Sequence, residues 1–135
     1  MSGPAPFTGL SHVQLLVTDL NTSAAWYRRA LGLEEFAEDR ATGYVALRHR
    51  PTRVVVVLTT RPVDGPVATG PGALDHLALA VPDGDTLRAW SEHLTTVGVD
   101  HAGVVSEDGR PSLQLVDPDG TSIELVAPAP RPPTG

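Results

Sequence analysis

Apolar residues recur at every second position of residues 11–18, the period of a β-strand whose two faces meet different surroundings. One face carries Val13, Leu15 and Val17, and the other carries His12, Gln14 and Leu16. The next segment contains no proline as far as Leu31 and is followed by Gly32, which suits a left-handed C-terminal cap. Asp19 or Asn21 would cap its first turn. The pattern therefore predicts a strand followed by a helix.

The same pattern returns 64 positions later in the chain. Eight identities relate the two segments: Leu10, His12, Leu15, Val17, Asp19, Thr22, Ala25 and Trp26 recur as Leu74, His76, Leu79, Val81, Asp83, Thr86, Ala89 and Trp90. The second predicted helix has apolar residues at i, i+3, i+7 and i+10, the spacing of a face that packs on a sheet: Leu87, Trp90, Leu94 and Val97. We interpret the repeat as an internal duplication.

Three strand-like runs separated by turn residues follow each predicted helix. The runs are residues 33–39, 44–48 and 53–60 in the first copy and residues 101–106, 112–116 and 121–126 in the second. Each copy therefore predicts a βαβββ module. Module one covers about residues 8–60 and module two about residues 73–127, with a linker at 61–72 and a Pro-rich tail at 128–135. We predict one α+β domain over residues 1–135.

Composition narrows the class of ligand. Sixteen acidic and ten basic residues give a net charge of −6, which disfavours nucleic acid and anionic lipid as partners. No apolar run approaches the roughly 20 residues of a membrane span, and residues 1–6 lack the features of a targeting signal, so we expect a cytoplasmic protein that binds a small molecule. Because the chain has no cysteine, any metal would be held by His, carboxylate or amide groups.

Several short motifs resemble one known group of proteins. The residues that carry the resemblance are Leu10-Ser11-His12-Val13, Trp26-Tyr27, Leu31-Gly32-Leu33, Leu74-Asp75-His76-Leu77 and the run from Asp117-Pro118-Asp119-Gly120 to Ile123-Glu124-Leu125. Together with the duplicated βαβββ unit, they resemble the vicinal oxygen chelate superfamily, which includes glyoxalases, bleomycin resistance proteins and extradiol dioxygenases. The likeness covers about residues 8 to 127.

The resemblance implies an open, cup-shaped mixed sheet with both helices outside and the ligand inside. It also implies metal ligands on the first and last strand of each module. Three of those four positions hold possible ligands, His12, His76 and Glu124, whereas Val57 occupies the fourth. Two histidines and one carboxylate resemble the facial triad of the extradiol dioxygenases, which suits Fe, Mn, Ni or Zn and leaves coordination sites open.

The strand period independently places the three possible ligands on the faces turned away from the helices. Their neighbours on those faces are candidate substrate-binding residues, and further candidates come from the strands beside them: Gln14, Tyr44, Arg48, Val55, Val57, Ala78 and Ser122. Tyr44 and Arg48 either reach the cleft or lie at an exposed edge. Val55 and Val57 would make one wall apolar, which favours a hydrophobic or aromatic ligand. No catalytic residue is assigned from the sequence.

Two functions follow from these observations. The first is a metal-dependent enzyme, an isomerase, lyase or extradiol-type dioxygenase, acting on an apolar or aromatic substrate with adjacent oxygens. The second is a metal-free binding or resistance protein that sequesters a natural product or drug in the same cup. Because two such modules leave exposed strand edges, we also expect a homodimer, with each cleft formed within one chain or across two.

Overall fold

The computed structural model describes residues 4–6, 8–60, 74–107 and 109–129. The predicted linker and most of the predicted tail lie outside the described residues. Within them, the order of elements is βαβββ, twice. The predicted α+β fold of two βαβββ modules is therefore confirmed.

The predicted elements agree with the observed ones in type and order, and their ends differ by at most two residues. Module one contains β1 (Val13–Leu16), α1 (Leu20–Leu31), β2 (Glu34–Asp39), β3 (Tyr44–His49) and β4 (Val54–Thr59). Module two contains β5 (Leu77–Ala80), α2 (Gly84–Thr96), β6 (His101–Glu107), β7 (Arg110–Val116) and β8 (Ser122–Val126).

Each module builds a four-stranded sheet, in the orders β1-β4-β3-β2 and β5-β8-β7-β6. The first and last strands of a module run parallel, and the other neighbouring strands are antiparallel. The parallel pairing sets Gln14 opposite Val57 in module one and Ala78 opposite Glu124 in module two. The helix of each module connects the first strand at one edge of the sheet with the second strand at the other edge, so that the first and last strands can pair in parallel.

The helices begin at side-chain caps. The carboxylate of Asp19 accepts a hydrogen bond from the backbone N–H of Thr22 at 2.9 Å, and Asp83 caps α2 in the same way. Of the two cap candidates in the sequence, the structure therefore selects Asp19, and Asn21 lies inside the helix. Gly32 ends α1 with φ at 68°, a left-handed conformation that favours glycine.

Each helix packs on one face of its own sheet. Trp26 and Tyr27 of α1 are buried, as are Leu87 and Leu94 of α2, and Trp90 packs against the same core. The opposite face of each sheet, called the cup face below, carries neither of the two helices of the described residues. It exposes large apolar side chains to an unusual degree, with exposed fractions of 46% for Leu16, 43% for Phe36, 44% for Val105 and 56% for Val116.

One buried carboxylate joins the two modules. Asp117, in the turn before β8, accepts a 2.7 Å hydrogen bond from the Tyr27 hydroxyl of α1. Asp119 of the same turn accepts hydrogen bonds from the backbone N–H of Thr18 at 3.0 Å and from the Ser23 hydroxyl at 3.3 Å. These five residues are called the Asp117 latch. Its hydrogen bonds connect the β7–β8 turn of module two to α1 and the residues just before it in module one.

A second contact between the modules is made by the two helices. The Nε2 atom of His93 in α2 lies 3.1 Å from the carbonyl oxygen of Arg29 and 3.2 Å from that of Ala30. Since a carbonyl oxygen only accepts, the imidazole donates to the C-terminal end of α1, where carbonyl groups lack helical partners. His93 thus contributes to the contact between the modules.

Neither α1 nor α2, the helices of the described part of the chain, has the length and apolar character needed to cross a bilayer.

Candidate functional site

An open cleft of about 1020 Å³ lies on the cup face of module two. Its polar side chains include His76, Glu124 and Arg110. Between them the floor consists of small side chains: Ala78, Ala80, Ser112 and Val126. The cleft therefore combines a few separated polar groups with a floor that leaves room for a flat ligand.

Two of the three predicted metal ligands meet in this cleft. The Nε2 atom of His76 lies 3.4 Å from Oε2 of Glu124. The parallel register explains the contact, because Ala78 faces Glu124 and His76 lies two residues before Ala78 on the same face. The side chains of His76 and Glu124 are 41% and 18% exposed, so both are accessible from the cleft.

The ring of His76 is held from its other side. Its Nδ1 atom lies 2.7 Å from Oδ2 of Asp75. Because a carboxylate only accepts, Nδ1 carries the proton and Nε2 is turned towards Glu124. The hydrogen bond to Asp75 raises the pKa of His76, and the negative charge of Glu124 acts in the same direction. A carboxylate behind the ring of a histidine is the usual support for a metal ligand.

His12 occupies the corresponding place in module one. It directly precedes β1, as His76 precedes β5, and its Nδ1 atom lies 3.0 Å from the Ser11 hydroxyl oxygen. Its ring is exposed. However, no three His, Asp, Glu or Cys side chains of the described residues lie close enough together to hold a metal ion. His12 is therefore not brought to the pair formed by His76 and Glu124 within one chain.

The remaining histidines make contacts that explain their positions structurally. His49 lies 2.7 Å from the Thr52 hydroxyl in the turn after β3. His101 accepts a hydrogen bond from the backbone N–H of Gly103 and lies 2.9 Å from the Thr95 hydroxyl. His93 serves the contact between the helices described above. The two histidines at repeat-related positions make different contacts from these three. His12 contacts Ser11, and His76 contacts Asp75 and the cleft carboxylate of Glu124.

The predicted substrate-binding residues fall on both sheets. Ala78 lines the cleft, and Ser122 lies on β8 two residues before Glu124. The others lie on the sheet of module one: Gln14, Tyr44, Arg48, Val55 and Val57. Val55 and Val57 are only partly buried.

Arg48 is engaged with its neighbours on the module-one sheet. Its Nε atom lies 3.0 Å from Oε1 of Glu34, and its guanidinium carbon lies 4.9 Å from the centre of the Phe36 ring. Arg50 binds the same Glu34 oxygen at 2.6 Å. Hydrogen bonds from Arg48 and Arg50 lower the pKa of Glu34, which is therefore ionised at neutral pH.

Of the residues that line the cleft, Arg110 and Ser112 were not predicted from the sequence, and Ala80 and Val126 were placed on the cup face but not named as site residues. A signal for two of them was present: Arg110, Ser112 and Gln114 alternate with apolar residues directly after a glycine turn. That period-two pattern places Arg110 and Ser112 on the face opposite the core. The predicted strand begins only at residue 112, two residues after Arg110.

A sequence model of the Glyoxalase/Bleomycin resistance protein/Dioxygenase superfamily matches residues 9–125. The chain belongs to this superfamily. The family to which the motifs pointed is thus confirmed, and members of this superfamily include enzymes such as lactoylglutathione lyase and FosX. No curated protein is similar enough to the chain to count as a match.

Solved structures share the fold at low sequence identity. A glyoxylase/bleomycin resistance protein/dioxygenase domain from Frankia sp. EAN1pec has a TM-score of 0.75 and 24% identity, covering 90% of this chain and 98% of its own. Lactoylglutathione lyase from Agrobacterium tumefaciens has a TM-score of 0.73 and 19% identity, covering 91% and 96%.

One similar structure contains a metal and a ligand. It is a mutant of the fosfomycin resistance protein FosX from Listeria monocytogenes, complexed with Mn(II) and 1S,2S-dihydroxypropylphosphonic acid. Its TM-score is 0.67 at 18% identity, and the alignment covers 90% of this chain and 91% of that one. At these identities the likeness establishes the fold.

Proposed function

We propose that this protein is a divalent-metal-dependent enzyme acting on an apolar or aromatic small molecule with two adjacent oxygens. The observation that carries the proposal is the pair of His76 Nε2 and Glu124 Oε2, 3.4 Å apart in an open cleft, with the imidazole held from behind by Asp75. An imidazole nitrogen presented beside a carboxylate oxygen is a donor set for Fe, Mn, Ni or Zn.

His12, His76 and Glu124 would hold the metal. Val57, at the fourth repeat-related position, offers no donor atom, so three protein ligands leave coordination positions for a substrate. A divalent cation in such a site supplies Lewis-acid polarisation of the substrate's adjacent oxygens. That chemistry serves isomerisation and C–C bond cleavage by a lyase, whereas extradiol-type ring cleavage would in addition consume dioxygen and need a redox-active ion such as Fe.

The chain's own residues would orient both the metal ligands and the substrate. Asp75 keeps the proton of His76 on Nδ1, so that the Nε2 lone pair is presented to the cleft. Ala78 and Ala80 leave space beside Glu124 for an apolar ring. The apolar side chains of β4, Val55 and Val57, would form a facing wall.

We further propose that the third ligand comes from a second copy of the chain. The cup face of module one carries His12, and that of module two carries His76 and Glu124, but one chain does not bring them together. Both cup faces expose large apolar side chains, Leu16 and Val116 among them, which a second copy would cover. A two-fold dimer that sets module one of each copy against module two of the other would form two complete clefts.

Relatives with the same fold support this proposal. The FosX complex contains Mn(II) together with a ligand bearing two adjacent hydroxyl groups, and another relative is a lactoylglutathione lyase. These are properties of those proteins. They matter here because Glu124 lies on β8, and His12 and His76 directly precede β1 and β5, in a fold that this chain shares with them.

The alternative is a metal-free binding or resistance protein. The small and apolar residues of the cleft suit it, because they would hold a hydrophobic ligand without any chemistry. In that case His76 and Glu124 would serve as hydrogen-bonding groups of the pocket. The presence or absence of bound metal distinguishes the two functions.

Metal titration tests the proposal. Calorimetric titration of chelator-treated protein with Mn²⁺, Fe²⁺, Ni²⁺ and Zn²⁺ is expected to show uptake of one ion per chain. Since even the loss of a supporting residue costs 10–100-fold in metal affinity, His76→Ala and Glu124→Gln are each expected to weaken binding by at least about 100-fold. His49→Gln is the matched control, because His49 contacts Thr52 outside the cleft. A wild-type protein that takes up none of the four ions would contradict the enzyme and favour the binding protein.

A further inference from the structure

Arg110 lies in the same cleft as the His76 and Glu124 pair but at the other end of it. It is the first residue of β7 and, with Ser112 and Gln114, occupies the cup face of that strand. The register sets Gln114 opposite Glu124 and Ser112 opposite Val126. Arg110 is therefore two cross-strand rows away from the row that contains Glu124.

The distance between Arg110 and the row that contains Glu124 sets the length of a ligand that could contact both residues. Four residues of an extended strand separate Arg110 from Gln114, about 13 Å between their Cα atoms. The cleft lining between the two ends includes the small side chains of Ala80, Ser112 and Val126. A ring with a short side chain fits this span, with its oxygens near Glu124 and its other end near Arg110.

Arg110 brings a positively charged side chain to the lining of the cleft. Among the carboxylates whose side chains the structure describes, none forms an ion pair with Arg110, whose cross-strand neighbour in β6 is Glu107. Arg48, the cup-face arginine of module one, is instead paired with Glu34. Within the cleft, Arg110 is thus the group suited to bind an oxyanion, since a guanidinium presents several donors in one plane.

We propose that Arg110 binds an anionic group of the substrate, so that the substrates are organic acids with a carboxylate or phosphonate about one nanometre from their adjacent oxygens. This inference rests on the proposed function for the position of those oxygens. Arg110 would act as a specificity-determining residue, distinguishing acids from neutral analogues without touching the metal.

Matched ligands test the assignment. The probes are 3-(3,4-dihydroxyphenyl)propionate, its neutral amide and the corresponding ethylphosphonate, each titrated calorimetrically into protein with and without Mn²⁺. Since a hydrogen bond to a charged group is worth about 1.5 kcal/mol or more, the wild type is expected to bind each acid about tenfold more tightly than the amide. A preference for only one acid would identify which oxyanion the site accepts.

Variants of Arg110 test whether this side chain causes the preference for acids over the neutral amide. Arg110→Gln is expected to abolish the preference for the acids while leaving the affinities for the amide and for Mn²⁺ unchanged, and Arg110→Lys is expected to retain part of it. Arg88→Gln removes the same charge from the outer surface of α2, where Arg88 pairs with Asp85, and should retain the preference in full. Equal binding of acid and amide to the wild type, or a preference that persists in Arg110→Gln, would overturn the assignment. Failure to take up Mn²⁺ would count against the proposed function alone, because the acid preference is also measured without metal.

Discussion

Replacing Asp117 by alanine is expected to lower the free energy of unfolding by about 3 kcal/mol, because the substitution leaves several buried donors without an acceptor. The Asp117 carboxylate accepts the Tyr27 hydroxyl at 2.7 Å and the backbone N–H groups of Asp119 and Thr121 at 2.9 and 2.8 Å. Asp117 itself is only 4% exposed, so water cannot replace it at the Tyr27 hydroxyl without rearrangement. A loss of this size is a large share of a stability of about 5–15 kcal/mol.

Urea unfolding at a fixed protein concentration measures this loss. Asp85→Ala is the matched control: its side chain is exposed and contacts Arg88, so its effect should stay within about 0.5 kcal/mol. Tyr27→Phe removes one donor from the latch and is expected to cost about 1.5 kcal/mol, less than Asp117→Ala. Equal stabilities of Asp117→Ala and Asp85→Ala would show that the latch does not join the modules energetically.

The latch also predicts how stability changes at alkaline pH. Burial, reinforced by the negative charge of Asp117, raises the pKa of Tyr27 far above its ordinary value of 10.0. In the unfolded chain the phenol ionises near pH 10, whereas in the folded chain it stays protonated, so the unfolded state binds fewer protons and stability falls as pH rises. Between pH 9 and pH 11 the wild type should lose about 1.4 kcal/mol more than Tyr27→Phe. The comparison is unusually clear because the chain has no lysine and only two tyrosines.

The duplicated pattern was sufficient to predict the fold. Alternation in residues 11–18 and its return 64 positions later identified two βαβββ modules, because strand period, helix caps and turn residues are local properties of a sequence. The end of β1 was less predictable. Strand β1 ends at Leu16, and the backbone N–H of Thr18 binds Asp119, a residue 101 positions away that no local pattern could indicate.

The candidate site was predictable in part for the same reason. Strand period assigned His12, His76 and Glu124 to cup faces, and the parallel pairing of β5 with β8 explains why His76 and Glu124 meet. The position of His12 relative to them depends on how whole modules are arranged. Arrangement of modules follows from long-range contacts such as that of Tyr27 with Asp117, and a strand period contains no information about it.

The origin of the third ligand can be decided by mixing two defective chains. If His12 of one copy completes the site formed by His76 and Glu124 of the other, then His12→Ala and Glu124→Ala each destroy both sites of a homodimer. In a heterodimer of the two variants, one site receives both lesions and the other receives none. We therefore expect negligible metal binding by each variant alone and one tightly bound ion per heterodimer.

The heterodimer is prepared by coexpressing the variants with different affinity tags and purifying over both, and its metal content is measured after Mn²⁺ loading and desalting. Light scattering should give twice the 14.2 kDa mass of one chain, apart from the tags. As a control, His76→Ala coexpressed with Glu124→Ala should bind no metal, because each of the two sites in this heterodimer carries one of the two lesions. A cleft built within one chain predicts no recovery in either mixture, because every site would then carry a lesion. Recovery by the first mixture and not by the second would show that His12 crosses the dimer while His76 and Glu124 act from the same chain, as their 3.4 Å separation requires.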